Sequence, residues 1–377
     1  MSGSTADDLV RRAETAWRQD DLKTSTGALR ALAGARDDGV CEARFEPYAL
    51  PRGISAEPLS FHGKPLTSHL VRFESAAALF DIGVPIAPDG TFYSRAFAHL
   101  KYPERYTHLF TDDADKAVRA AVAKDTAVKD GYVTVIRPPY YHWLLDTVPH
   151  LLGASRLTSC ETVNLIGPAD APLKPWQQEL LARAAGLFGI ANLGWLPVSG
   201  TVVAVAPGYS QTRMPLDQRL DVIARLAPKT GTAKPNRVIY AKRGKGDARR
   251  LINEDDVIAA LEPRVEVIEP GAMTLDDQMR TFAGARCVIG VHGSNLTNIA
   301  FCRPGATVIE IAAGLPQTHF EKLCRAAGLR FHRVAADPAV PSAGDKAEPS
   351  WADAHGDLRA NPAEIKNALT QALDEPR

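Results

Sequence analysis

Nowhere in the 377 residues do apolar side chains run uninterrupted for the roughly 18 positions that a membrane-spanning helix needs. The opening MSGSTADDLVRRAETAWRQDD has no basic region leading into an apolar core, so no secretory signal is expected. An excess of one charge is missing too. Lys plus Arg and Asp plus Glu number 44 each, and without a net field neither nucleic acid nor an acidic membrane is an expected partner. Cysteine is sparse: Cys41, Cys160, Cys287, Cys302 and Cys324 lie far apart with no CxxC pair. An odd count without metal-ligand spacing suits a reducing cytoplasm, the expected location, better than a disulfide framework, and structural zinc is not expected. What is present is 45% hydrophobic, which fits a globular protein of about two domains.

Along the chain, residues 6–34 read as two short helices, with Leu9, Ala13, Ala16 and Trp17 on one face and Leu29, Leu32 and Ala33 on another. They form a helical N-terminal extension assigned to 1–50. From 50 to 89 the pattern turns to short strands broken by Pro and Gly, as in HLVRFES. A helical pattern at 113–124 precedes strand 132–136, and strand 163–167, helix 174–185 and strand 202–206 follow. After Met214-Pro215 a second series begins: helix 216–226, linker 228–235, strand 238–241, a basic loop at 242–250 and helix 254–261. It continues with strand 265–268, helix 274–283, strands 287–291 and 306–311, a β-like run at 329–334, a loop over 335–356 and helix 362–373. Alternation in both halves predicts two parallel-sheet α/β domains, 51–215 and 216–377, divided near 207–215.

The most informative stretch is VIGVHGSNLTNIAFCRPGATVIEI, from Val288 to Ile311. A polar turn of His292, Gly293, Ser294 and Asn295 sits between an apolar strand and the amphipathic segment 296–301, which starts with Leu296 and Thr297. It is neither GxGxxG nor GxxxxGK[ST]. Yet a small-residue turn at a helix start offers unpaired N–H groups and a favourable dipole to an anion such as a diphosphate. Glu310 is an acid between Ile309 and Ile311, where a core strand favours apolar residues; a carboxylate there can accept bonds from ribose hydroxyls or pair with a structural Arg.

Two further constellations carry chemistry. In RPPYYHWLLDTVPHLL (137–152), His142 and Asp146 are four apart on one helix face among Trp143, Leu144, Leu145 and Val148. An Asp one turn from a His fixes its tautomer and raises its basicity, which serves proton abstraction; the pair can equally satisfy itself. In KPNRVIYAKRGKGDARRLINEDDV (234–257), Lys242, Arg243, Lys245, Arg249 and Arg250 share a Gly-containing loop before a helix with Asn253 as N-cap. Arg on such a loop grips phosphate oxygens, and the lack of interleaved aromatics argues against single-stranded nucleic acid. Thr111–Asp115, TDDAD, reads first as a helix cap and second as a DxD metal holder through Asp113 and Asp115.

Taken in order, HWLLDTVPHLL, RRLINEDDV and LDDQMRTFAGARCVIGVHGSNLTNIAFCRPGATVIEI resemble glycosyltransferase family 61 over roughly 137–334. The family pattern runs HWLLD…LP, R..NE, then EQ..LF..A…G.HGAGLTN..F..PG..VIE. Here Ser294-Asn295 replaces Ala-Gly, and Asp277-Gln278 replaces Glu-Gln. The resemblance implies an inverting, sugar-nucleotide-dependent transferase of GT-B type, two Rossmann-like domains facing across a cleft, of the kind found in bacterial polysaccharide loci. The implied donor is a nucleotide-sugar, UDP-linked, and the acceptor a glycan or glycolipid, with the chain soluble or peripheral at an inner membrane. His142 would be the base, oriented by Asp146, or Asp146 the base itself. Arg243, Arg250, Asn253, His292, Gly293, Ser294, Asn295, Leu296, Thr297 and Glu310 would bind the nucleotide-sugar. No cofactor or metal is expected, since cationic side chains can stabilise the leaving group. A metal-dependent transferase using Asp113 and Asp115 and a non-catalytic sugar-nucleotide-binding component are the alternatives.

Overall fold

In the computed structural model the described residues are 54–74, 76–79, 84–86, 127–134, 139–169, 172–198, 202–211, 214–228, 234–244, 249–313, 318–339 and 356–374. The expected N-terminal extension, the helix at 113–124 with Asp113 and Asp115, and Lys245 lie outside them. The chain is α/β and divides into two units, one holding residues through 138 and 142–219, the other holding 139–141 and 220–377.

Among the described residues the first unit has nine strands: β1 (Ile54–Phe61), β2 (Lys64–Phe73), β3 (Ala76–Leu79), β4 (Val84–Ile86), β5 (Gly131–Tyr132), β6 (Val163–Pro168), β7 (Leu193–Val198), β8 (Val202–Val205) and β9 (Gly208–Gln211). Its main sheet runs β1-β2-β9-β5-β6-β7, and β4-β3-β8 form a small antiparallel sheet. The parallel part of the main sheet is β9, β5, β6 and β7, as expected of an α/β domain, while β2 meets β9 antiparallel, so the sheet is mixed. The stretch read as an interdomain boundary at 207–215 contains the buried strand β9, in the middle of this sheet. Its GYSQ lacks the apolar alternation of a strand, because Ser210 Oγ donates to Val133 O (2.9 Å) and Gln211 satisfies Gly153 N and Pro149 O in the interior. Helix α1 (Pro175–Phe188) packs beside this sheet and ends at Gly189 with φ 70°, the left-handed turn that favours glycine. Helix α2 (Leu216–Ile223) carries the chain into the second unit.

The second unit is built on β10 (Arg237–Ala241), β11 (Glu266–Ile268), β12 (Ala285–Val291), β13 (Thr307–Ala312), β14 (Arg330–Pro338) and β15 (Leu358–Ala360). The order is β11-β10-β12-β13-β14-β15, parallel except for β15. Central parallel strands are covered on both faces, which is why β12 and β13 read as continuous apolar runs. On one face Tyr240, Ile289, Ile309, Ile311 and Val334 pack with Val257 and Leu261 of α3 (Glu254–Leu261) and Ile365 and Leu369 of α6 (Pro362–Asp374). Helix α4 (Leu275–Ala283) starts at Thr274, whose hydroxyl accepts from Asp277 N at 3.1 Å, a cap that contributes about 1 kcal/mol. Helix α5 (His319–Ala326) and strand β15 had no counterpart in the sequence reading. Because β11 lies to one side of β10 and β12 to the other, the strand order reverses between β10 and β12. In open α/β sheets that reversal, at the carboxyl ends of the strands, is where ligands bind.

Candidate active site

In the first unit the chain enters at His142 and runs through a π-helical turn, Trp143–Thr147, into a 3-10 stretch, Pro149–Arg156. Pro149 has no N–H to continue an α-helix, and Val148 N bonds back five residues to Trp143 O (2.9 Å). Single π turns of this kind occur often at functional positions. Trp143, Leu144, Leu145 and Val148 are fully buried. Within this apolar wall His142 Nδ1 lies 2.7 Å from Asp146 Oδ2, and the other carboxylate oxygen, Oδ1, accepts from Arg219 Nη1 at 2.6 Å. The imidazole is 21% exposed and the Asp146 and Arg219 side chains only 2% and 6%. Arg219 Nη1 also reaches Leu145 O at 3.0 Å. With the His142 Nδ1 proton directed at Asp146, the lone pair is carried by Nε2, the tautomer a proton-abstracting imidazole needs. Arg219 escaped the sequence reading. The signal was a cation on the apolar stripe of α2, between Leu216, Leu220 and Ile223.

In the second unit, the segments after β10 and β12 converge at the reversal in strand order. His292 N donates to Ile311 O (2.8 Å), and the polypeptide turns through Gly293 into a 3-10 helix, Ser294–Phe301. Arg243 crosses this turn: its Nη1 donates to His292 O at 3.2 Å. A Cβ on Gly293 would lie 1.6 Å from that nitrogen, so glycine is what allows the approach. Asn295 Nδ2 donates to Lys242 O (3.0 Å), a second tie between the two loops. Asn295 is absent from the non-glycine residues with positive φ, so it serves through its amide and not by adopting a left-handed backbone. Lys242 is steadied in turn by Glu254 (3.5 Å), which also accepts from Tyr240 OH (3.1 Å). Burial pushes the Glu254 carboxyl above its ordinary range, with Tyr240 and Lys242 pulling the other way.

Register explains the next contact. Gly290, Glu310 and Arg333 are aligned across β12, β13 and β14, so their side chains share one face, and His292 is two residues beyond Gly290. His292 Nδ1 meets Glu310 Oε1 at 2.5 Å, while Glu310 Oε2 accepts from Arg333 Nε (2.9 Å) and Nη2 (2.8 Å). The Glu310 side chain is wholly buried and both its oxygens are engaged by side chains. The His292 ring packs edge-on against Phe320 (5.2 Å), and Phe320 also meets Tyr141 (5.9 Å). Tyr140 OH donates to Asn298 Oδ1 (3.0 Å), and Asn298 Nδ2 to Gln278 (2.8 Å).

Other expected ligand residues have fold contacts. Leu296 and Thr297 point into the core, with Thr297 Oγ1 buried and unbonded among the described residues. Ser294 is half-buried in the first turn. Asn253 stands at the N-cap of α3, but its amide clamps β15, donating to Ala360 O (2.9 Å) and accepting from Ala360 N (3.2 Å). Arg250 is paired with Asp357 (2.6 Å), whose carboxyl it holds below the usual range. Among the described residues no group of His, Cys, Asp and Glu has metal-holding geometry, and no helix is long and apolar enough to cross a membrane.

The chain is thus an α/β protein whose buried carboxylates orient histidines, one of them at the carboxyl ends of parallel strands. Residues 140–309 match the family model Glycosyltransferase 61, which takes in His142, Asp146, Arg219, Arg243 and His292 and stops one residue short of Glu310. The chain is similar to the beta-1,2-xylosyltransferase of Arabidopsis thaliana, 26% identical over 161 residues, or 36% of this chain and 29% of that protein. It therefore spans under a third of the length of the curated relative it matches.

Proposed function

We propose that the chain is an inverting glycosyltransferase of GT-B type, moving a sugar from a UDP-linked donor to a hydroxyl of a glycan or glycolipid in polysaccharide biosynthesis in the cytoplasm. The observation that carries this reading is His142, held at Nδ1 by a buried carboxylate that Arg219 holds from the other side. Inversion needs one in-line displacement, hence one base on the acceptor hydroxyl and positive charge at the leaving group. His142 is that base and Asp146 orients it. Asp146 as the base itself is disfavoured, because its carboxylate is buried and both oxygens are bonded. In the second unit Arg243 and the turn from His292 to Asn295 receive the diphosphate. The similar plant protein is named for xylose transfer, which makes UDP-xylose the first donor to try.

Thermal shifts across UDP-, GDP-, CMP- and dTDP-sugars test the donor. A ligand at about 100 times its dissociation constant raises stability by roughly 2.7 kcal/mol. Transfer or slow hydrolysis of the stabilising donor, lost in His142→Ala and unaffected by EDTA, is the expected result. Donor binding with no turnover under any acceptor would mark a binding component instead. Strict dependence on Mn²⁺ or Mg²⁺ would move the chemistry to Asp113 and Asp115.

A further inference from the structure

The two units carry the same sequence of groups. His142, Asp146 and Arg219 form an imidazole–carboxylate–guanidinium line in the first, and His292, Glu310 and Arg333 repeat it in the second. One such line serves the base in the reading above; in the other, the reading uses only the turn at His292 and leaves the imidazole, Glu310 and Arg333 without a chemical role. We propose that His292 is the acid that protonates the departing diphosphate, with Glu310 and Arg333 as its positioning residues. This rests on the proposed glycosyl transfer and assigns the leaving-group side of that reaction.

His292 is suited to a donor's role. Glu310 on β13 takes its Nδ1 hydrogen, Phe320 on α5 walls one side of the ring, and its main-chain carbonyl is bonded by Arg243 from the loop after β10. Its Nε2 has no partner among the described residues and is not among the buried unbonded atoms. Glu310 fixes the orientation of the ring from Nδ1, and Arg333 on β14 fixes Glu310 in turn through its Oε2. The adjoining 3-10 helix start and the Arg243 guanidinium favour a phosphate at the same place. In the step, the acceptor oxygen gives up its proton to a base and bonds to the anomeric carbon. The bond from that carbon to the β-phosphate oxygen breaks with its electron pair on the oxygen, and His292 Nε2 delivers a proton there.

The discriminating probe is a nucleoside diphosphate against its own monophosphate, measured by titration calorimetry with UDP/UMP, GDP/GMP and dTDP/dTMP. Wild type should prefer a diphosphate, and His292→Gln should weaken it about 10- to 100-fold, the loss for a charge-assisted hydrogen bond, with the monophosphate unchanged. Turnover should fall by about 10²–10⁴, the contribution of a general acid. Glu310→Gln should reproduce the selective loss of diphosphate affinity. A ribose ligand would weaken both nucleotides equally, since both carry the ribose, and that result would overturn the assignment. If Glu310→Gln melts below the assay temperature, Arg333→Lys and Arg333→Met replace it: the lysine should keep the diphosphate preference and the methionine lose it. Equal di- to monophosphate ratios in His292→Gln and wild type sink the inference alone, provided His142→Ala is still inactive. A wild type with no diphosphate preference anywhere in the panel sinks the inference and the donor-site reading together.

Discussion

Replacing Asp146 by Asn changes one atom and should disable the first unit's site in two measurable ways. The carboxylate stands between two donors, His142 Nδ1 at 2.7 Å and Arg219 Nη1 at 2.6 Å. An amide has one accepting oxygen, so it cannot serve both. Turned with its oxygen to the imidazole, it points an NH₂ at a guanidinium. Turned the other way, it donates to Nδ1, drives the ring proton to Nε2 and removes the lone pair that the proposed base needs. The guanidinium, with 6% of its side chain exposed, would also lose its countercharge. Breaking a buried pair from one side costs about 3–5 kcal/mol, a large part of a typical domain's stability of roughly 5–15 kcal/mol. Assayed well below its melting temperature, Asp146→Asn should turn over about 10²–10⁴ more slowly with donor affinity unchanged. His142→Ala should match it, and the double variant should be scarcely slower than either, since both remove one device. The decisive assay is steady-state transfer at saturating donor beside a thermal melt. Multiplicative losses, or an Asp146→Asn turnover within a few-fold of wild type, would refute the reasoning.

Three further outcomes follow from other contacts. Gly293→Ala should leave the melting temperature nearly unchanged, because the new methyl meets only the far end of the Arg243 side chain, yet weaken diphosphate binding by displacing that guanidinium; binding equal to wild type would exclude Arg243 from the phosphate site. Asn253→Ala should lower stability by about 1–3 kcal/mol through the two unmade bonds to buried Ala360, without a specific loss of nucleotide affinity, as melting and calorimetry would show. Burial pushes the Cys287 and Cys324 thiols up to about 12 and raises Cys302 as well. Below those values the thiols are protonated, so alkylation at pH 8 followed by peptide mapping should label Cys160, the partly exposed one, ahead of these three until denaturant is added. Early labelling of Cys287 or Cys324 in the native protein would contradict the packing around β12 and α5.

What the sequence made legible depended on whether an interaction was local. Apart from α5 and β15, the strands and α-helices of the second unit stood where apolar runs and capping residues placed them, because buried parallel strands have few alternatives to Val and Ile on both faces. The His142 and Asp146 contact was legible too, since four residues on one helical turn bring two side chains together without the rest of the fold. Their Arg219 partner is 73 residues on, and Arg333 is 23 residues beyond Glu310. Both contacts are set by packing or strand register, which no local pattern encodes. The same limit explains β9. Its Gly208, Tyr209, Ser210 and Gln211 look like a linker, because a strand whose polar side chains satisfy neighbouring backbone has no apolar signature. Glu310 shows how this bears on function. An acid in an apolar strand does mark a special position, and a ribose was one reading of it. The sequence, however, cannot say whether a carboxylate faces a ligand or another side chain. Register supplies the side-chain partners: the row from Gly290 through Glu310 to Arg333 puts a guanidinium on one oxygen and an imidazole on the other. Arg333, unremarked in RFHRVAAD, is therefore as much a part of the candidate site as the residues whose pattern announced it.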